Sequence, residues 1–173
     1  MNNKKTEQLV RRAKKRDPDA FTELMDRQMQ GMYKVARSIL YREEDAADAI
    51  QETILICWEK IGQLKVDRYF QTWMTRILIN NCCKTLQKDR NVTYMDEIFD
   101  IPIEDNFARY EWEEALAVLK EDYRLVVTLY YAQGFRTREI ADILGISDNT
   151  VRTRLSRARE QLKKYYEEEK KHE

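Results

Sequence analysis

The chain has 173 residues, 36% of them charged, yet 31 Lys+Arg face 31 Asp+Glu and the net charge is zero. That length allows one ordinary domain or two small ones, and the balance excludes a simple polyanion binder, so charge distribution matters more than its sum. Four glycines and two prolines are few for a turn-rich β protein. Long periodic segments dominate instead, and the expected fold class is all-α.

The first predicted helix covers residues 4–15, with Leu9, Val10 and Ala13 as its apolar side. Asp17-Pro18 starts the second, with Asp as cap and Pro at the first helical position. Its stripe of Ala20, Phe21, Leu24, Met25, Met32, Ala36, Ile39 and Leu40 reads as core and carries the helix to about Leu40. A third helix starts near Asp45 and buries Ala46, Ile50, Thr53, Ile54, Cys57 and Ile61. On its opposite face, Asp48, Gln51, Glu52 and Glu59 surround Leu55. An apolar residue ringed by acids, beside Trp58, suits docking of a basic protein partner better than a plain solvated face.

Gly62 ends that helix, and Gln63–Tyr69 is a loop containing Lys65 and Arg68. The next helix opens on Phe70, Trp73, Met74 and Ile77 and runs to about Gln87, with Arg76, Lys84, Lys88 and Arg90 recurring along and beyond it. Aromatic groups beside cations suit single-stranded nucleic acid, where bases stack and phosphates are neutralised. Phe70 and Trp73 are expected mostly in the core, leaving contact to the loop and the polar side of the helix. Asn80 and Asn81 sit mid-helix, where propensity gives no reason for them.

Charge divides the chain further. Residues 1–90 carry 18 basic and 13 acidic side chains, whereas residues 91–111 carry one basic, Arg109, and six acidic. Residues 91–106 lack a clear period and contain Pro102, and they read as an acidic linker between two small helical domains, 1–90 and 107–173. Helical pattern resumes at Phe107 through Trp112, Leu116, Val118 and Leu119. After a break at Glu121-Asp122, Leu125, Val126, Leu129 and Tyr130 continue it.

Gly134–Leu162 carries the strongest local signal. A helix over Thr137–Leu144 is followed by Gly145, which can adopt a positive φ, and by Ser147 as a cap for a second helix from Asp148. Ala141, Gly145 and Val151 give the spacing of a helix-turn-helix, whose second helix enters a major groove. At about 100° per residue, Val151, Leu155, Ala158 and Leu162 face inward. Asn149, Arg152, Thr153, Ser156 and Glu160 face outward, with Arg157 and Lys164 on one flank and Arg159 and Lys163 on the other. Amide, guanidinium and hydroxyl groups there can read base edges and hold phosphates.

Cys57, Cys82 and Cys83 have no CxxC spacing and the one histidine is His172, so no metal site, disulfide framework or cofactor is expected. No nucleophile, base or metal constellation appears, and the chain is not expected to be an enzyme or to act on a small-molecule substrate. With no membrane-length apolar run and no signal peptide, a cytoplasmic location is expected.

Three stretches together resemble bacterial sigma factors of the extracytoplasmic-function (ECF, group 4) type. AFTELMDRQMQGMYKVARSIL with DAADAIQETILICWEKI at Asp45–Ile61 is similar to the family's DAEDxxQExFxxxW segment. FQTWMTRILINN at Phe70–Asn81 is similar to FxxWLxxIAxN, and EIADILGISDNTVRTRLSRAR at Glu139–Arg159 to EIAxxLGxSxxTVKxRLxRAR. The resemblance spans nearly the whole chain in order. It implies a promoter-specificity subunit of RNA polymerase. Docking on the β′ clamp helices would fall to Asp45, Asp48, Gln51, Glu52, Leu55 and Trp58, and the β flap is a second implied polymerase contact. Reading and melting of the −10 element would fall to Lys65, Arg68, Arg76, Asn80 and Lys84, with a flipped base held by protein. Reading of the −35 element would fall to Asn149, Thr150, Arg152, Thr153, Arg154, Ser156 and Arg157. An anti-sigma factor, in many members membrane-bound, is the implied regulator, and would hold the protein at the inner face of the membrane. The chain departs from the family pattern at three places: Glu121-Asp122 replaces Leu-Pro, Arg16 a common Gly, and Arg136 a common Ser. A stand-alone helix-turn-helix repressor or activator, and a helical adaptor with no DNA role, are the alternatives. The first would leave residues 1–90 without a task, and no dimerisation heptad accompanies it.

Overall fold

A computed structural model describes residues 2–90 and 114–169. Its first helix, α1 (Asn2–Lys14), buries Leu9, Val10 and Ala13 and carries Arg11, Arg12 and Lys14 in its last turn, where cations complement the helix dipole. The helix stops because Arg16 turns left-handed at φ 65°. The amides of Arg16 and Asp17 then return to the carbonyls of Ala13 and Arg12. This is a position for glycine, and a side chain there costs on the order of 1–2 kcal/mol. The Arg16 guanidinium provides compensation: it donates to the carbonyls of Trp58 (2.6 Å) and Glu59 (3.2 Å) and lies 5.2 Å over the Trp58 ring. Those carbonyls lie in the last turn of the helix Glu43–Lys60, where helical partners run out.

Asp17 caps α2 (Pro18–Ile39), accepting the amides of Asp19 and Ala20 at 3.1 Å each. Those amides, the Ala20 one foremost, and the Arg12 guanidinium hold its carboxyl below the usual carboxylate range. After a short turn, α3 (Glu43–Lys60) begins with Glu43, Glu44 and Asp45 at the favourable end of its dipole, two residues earlier than the sequence pattern suggests. It buries Ala46, Ala49, Ile50, Thr53 and Cys57. Two 3-10 turns, Ile61–Gln63 and Asp67–Tyr69, fill the segment expected as loop. Leu64 and Phe70 anchor its ends in the core.

In α4 (Phe70–Arg90), Phe70, Met74, Leu78, Ile79 and Cys82 are buried, and Trp73 packs half-buried with its ring 6.0 Å from Phe70. Both aromatics are therefore core, as expected. Asn81 now has a reason: it is 5% exposed, and its amide donates to Thr53 Oγ1 at 3.0 Å, while Thr53 donates to the Ala49 carbonyl at 2.7 Å. This is a satisfied polar bridge inside the α3–α4 contact.

The expected linker 91–106 and the resumption of helix at Phe107 lie outside the described residues. Residues 114–117 are helical. The break expected at Glu121-Asp122 lies earlier, at 118–120, and both acids instead form the first turn of α5 (Glu121–Val127). There they meet the positive end of the helix dipole, which Leu-Pro would not exploit. Arg124 ties this turn together by donating to the carbonyls of Leu116 and Leu119. A π-helical turn, Thr128–Ala132, follows α5, then α6 (Thr137–Leu144) and α7 (Asp148–Glu169). The Arg136 amide is taken by Glu139 at 2.7 Å, half of a capping box.

The helices pack as α1, α3 and α4 around α2, and as α5 and α6 against α7. These groups are not separate in space: α5 and the π turn lie on α2, and α6 lies on α4, so one apolar cluster runs from Leu9 to Ala158. Gly31, inside α2, permits that approach. Gln133 donates to its carbonyl at 3.2 Å, and a Cβ at position 31 would sit 2.5 Å from the Gln133 amide oxygen. Tyr41 adds a second join, donating to Glu121 at 3.3 Å beneath the Arg124 guanidinium.

Two stability measurements check this account. Asn81→Ala is expected to lower unfolding free energy in urea by about 1–3 kcal/mol, the cost of disrupting a buried polar pair. Thr53→Val with Asn81→Leu should cost less than the sum of the two single changes, and strict additivity would contradict the bridge. Arg16→Gly and Arg16→Ala both lose the α3 cap, but only alanine keeps the left-handed strain. Glycine should therefore be the more stable by about 1 kcal/mol, and equal stability would remove the strain argument.

Candidate nucleic-acid and protein interfaces

The helix-turn-helix is built as its sequence pattern predicts. Gly145 takes φ 66°, and its amide returns to the Ala141 carbonyl, as does that of Ile146 at 3.1 Å. Ser147 Oγ accepts the Thr150 amide at 3.0 Å and shares a hydrogen with Thr150 Oγ1 at 2.8 Å, which fixes the start of α7. Val151, Leu155 and Ala158 are buried, and Leu162 packs against the same core. Their burial fixes the rotation of α7 and leaves Asn149, Arg152, Thr153, Ser156 and Arg157 together on its exposed side.

Two of the expected −35 residues are turned to other work. Thr150 is half-buried in the cap. Arg154 reaches inward to Asp122 at 2.9 Å, with its side chain 25% exposed, and ties α7 to α5. Arg152 stays on the outer face, held by Asp148 one turn earlier at 2.9 Å.

On α3, Asp48, Gln51, Glu52 and Leu55 form one exposed face, and Leu55 is 60% exposed. Asp45 is half-buried at one edge of it, near Arg42. Trp58 is at the other edge and turns inward: its ring lies 4.9 Å from Phe21 and beneath Arg16. Its neighbours, from α2 and the α1–α2 turn, are 37 and 42 positions away in sequence, beyond the reach of helical periodicity.

Between Leu64 and Phe70 the chain displays Lys65, Val66, Arg68 and Tyr69, all exposed. The Arg68 guanidinium lies 4.8 Å over the Tyr69 ring and donates to its hydroxyl at 3.0 Å. Asp67 points the other way, onto α1, where Lys14 (2.5 Å) and Arg11 (3.0 Å) donate to its carboxylate. Lys14 above all, then Arg11, holds that carboxyl below the usual range. Sequence reasoning missed both Asp67 and Tyr69; a lone acid inside a basic loop was the signal. On α4, Arg76, Asn80 and Lys84 recur at four-residue spacing, and all are exposed. Arg76 also donates to the Asp142 carbonyl of α6 at 2.6 Å.

Burial pushes the Cys57 and Cys82 thiols up to about 12, so both are inert at neutral pH. Among the described residues no group of His, Cys, Asp and Glu could hold a metal ion, and no helix is long and apolar enough to cross a membrane.

Comparison with known proteins bears on these surfaces. Residues 24–92 match the family model for sigma-70 region 2, and residues 109–162 match that for sigma-70, region 4. The ECF RNA polymerase sigma factor SigW of Bacillus subtilis (strain 168) is 28% identical over 176 residues, covering 90% of this chain and 93% of SigW. The RNA polymerase sigma factor SigV of the same strain is 29% identical over 133 residues, covering 75% of this chain and 80% of SigV. Among solved structures, CnrH in complex with the cytosolic domain of CnrY has a TM-score of 0.72 at 25% identity, over 94% of this chain and 97% of CnrH. The Bartonella quintana sigma factor RpoE, solved with the anti-sigma factor NepR, shares the fold at a TM-score of 0.68 and 22% identity, over 84% of this chain and 97% of RpoE. With both sigma-70 regions matched in order along one helical chain, and ECF relatives aligned over most of their length, the chain belongs to the sigma-70 family as a sigma factor of the ECF type.

Proposed function

We propose that this sigma factor binds core RNA polymerase and directs it to promoters by reading a −35 and a −10 element, without catalysing a reaction itself. The observation that carries this reading is the presence of unlike exposed faces on one chain. The α3 face is acidic around Leu55, and the α7 face presents Asn149, Arg152, Thr153, Ser156 and Arg157. The first suits a basic protein surface, such as the clamp helices of β′; the second suits the edges and phosphates of a major groove. Lys65, Arg68, Asn80 and Lys84 then face the −10 element, joined by Arg76 once its bond to α6 is released. Residues 1–90 form the polymerase-docking and −10 unit, 91–106 the linker, and 107–173 the −35 unit, which also meets the β flap.

Both units must part for this to work. Elements named for −35 and −10 lie roughly 25 base pairs apart, or about 85 Å at 3.4 Å per step. In the closed chain, α4 and α6 are in hydrogen-bond contact through Arg76 and Asp142. The linker, residues 91–106, can span about 55 Å fully extended, enough with the width of the two units to reach both elements. Zero net charge fits a factor that binds DNA through the polymerase instead of alone. The solved complexes of CnrH with CnrY and of RpoE with NepR support control by an anti-sigma factor, which would hold this chain in the cytoplasm, at the membrane where that factor is anchored.

Run-off transcription with bacterial core polymerase on a promoter library tests the reading. Wild-type protein should give promoter-dependent transcripts; no binding to core and no such transcript would end the proposal. Arg152→Ala with Arg157→Ala should lose about tenfold or more of −35-dependent transcription, since each base or phosphate contact is worth about 1–3 kcal/mol. Core binding should be unchanged. Leu55→Asp should weaken core binding about tenfold, as loss of an interface anchor does, and leave folding intact, because Leu55 is exposed. A strong gel shift by the protein without polymerase would instead favour a stand-alone repressor or activator.

A further inference from the structure

The five residues between the buried Leu64 and Phe70 form a surface turn whose middle residue alone faces inward. Lys65, Val66, Arg68 and Tyr69 are exposed, while the Asp67 carboxylate is 17% exposed and receives Lys14 at 2.5 Å and Arg11 at 3.0 Å. An acid in a loop that meets DNA repels phosphate unless its charge is matched. Here two cations match it, and both come from α1. That helix lies wholly outside the segment matched to sigma-70 region 2, which begins at residue 24. α1 is itself fixed by the burial of Leu9, Val10 and Ala13, so the pair of bonds fastens the loop to a rigid element.

We propose that Asp67 is a positioning residue for reading of the −10 element: clamped by Lys14 and Arg11, it sets the aim of Lys65, Arg68 and Tyr69 toward the opened strand. This rests on the reading of the protein as a promoter-reading sigma factor. The Arg68–Tyr69 pair offers a stacked cation and ring, a surface on which an unstacked base can lie. Its direction depends on Asp67, the residue before it. Lys14 and Arg11 act through Asp67 and are not DNA contacts in this arrangement.

The test uses the full chain reconstituted with core polymerase on a promoter and on a set carrying single base changes in its −10 element. Asp67→Asn keeps the size of the side chain and removes its charge. The double change Arg11→Gln and Lys14→Gln attacks the clamp from the other side. Both should slow promoter opening, read by permanganate reactivity of unpaired thymines, by about tenfold, the scale of loss for a group displaced by less than 1 Å. Both should shift the −10 base preference in the same way. Core binding and dependence on the −35 element should stay at wild-type values, which a loss of folding would not allow. Asp67→Glu should recover part of the opening rate. Wild-type opening and base preference in Asp67→Asn would overturn the proposal. So would a defect in the Arg11/Lys14 pair alone, since those cations would then be holding phosphate directly. Failure of the wild-type protein to give any promoter-dependent transcript would instead overturn the functional reading beneath it.

Discussion

The structure depends first on the burial of α2 along its length. Ala20, Phe21, Leu24, Met25, Met32, Val35 and Ala36 form one buried stripe, and the helix touches α1, α3 and α4 as well as α5 and the π turn. Burying a large apolar side chain contributes about 1.5–3 kcal/mol. A helix that buries so much and touches both groups therefore sets the position of every helix packed on it. Gly31 lies where Gln133 approaches it. Glycine in a helix interior costs about 1 kcal/mol relative to alanine. Here the missing side chain admits Gln133, whose amide takes the carbonyl that the close approach leaves accessible.

What could be read from the sequence follows from the range of the interactions involved. The helix-turn-helix was legible because its determinants are local: Gly145, Ser147 and the Val151–Leu155–Ala158 seam all act within one or two turns. The acidic face of α3 was legible for the same reason. The environment of Arg154, which the resemblance puts in the −35 set, was not legible, because its partner, Asp122, is 32 positions away. Trp58 was grouped with the docking face by adjacency, while its environment comes from Phe21 and Arg16. Asn81 looked unreasonable mid-helix until Thr53 of a neighbouring helix supplied its partner. Arg16, noted only as a departure from glycine, carries a strained backbone and a helix cap at once, and neither appears in a periodicity count.

The join between the two groups of helices has a mixed character that suits separation. Its apolar part is continuous with both cores, and its hydrogen bonds among the described residues include Gln133 to the Gly31 carbonyl, Tyr41 to Glu121, and Arg76 to the Asp142 carbonyl. Each is a single hydrogen bond with a net value of about 1 kcal/mol, and water can replace each one. The bonds that hold each group together, such as Arg124 to Leu116 and Leu119 or Arg154 to Asp122, do not cross the join.

The zero net charge then acquires a structural meaning. Several acids here fix cations: Asp17 holds Arg12, Asp67 holds Lys14 and Arg11, Asp148 holds Arg152, and Asp122 holds Arg154. Exposed ion pairs of this kind add little stability, about 0–1 kcal/mol, so stability does not account for their number. Their effect is on geometry. A free arginine loses rotamer entropy when it meets a base or a phosphate, and a carboxylate that already confines it removes part of that cost before binding. Asp148 confines Arg152 from one turn earlier on the same helix, and Lys14 and Arg11, through Asp67, fasten a whole loop from across the fold. The same carboxylates lower the net field that would hold the chain on unspecific DNA. Directed cations on a neutral protein are what a reader needs when the affinity for DNA comes from a larger partner and its own task is to choose the site.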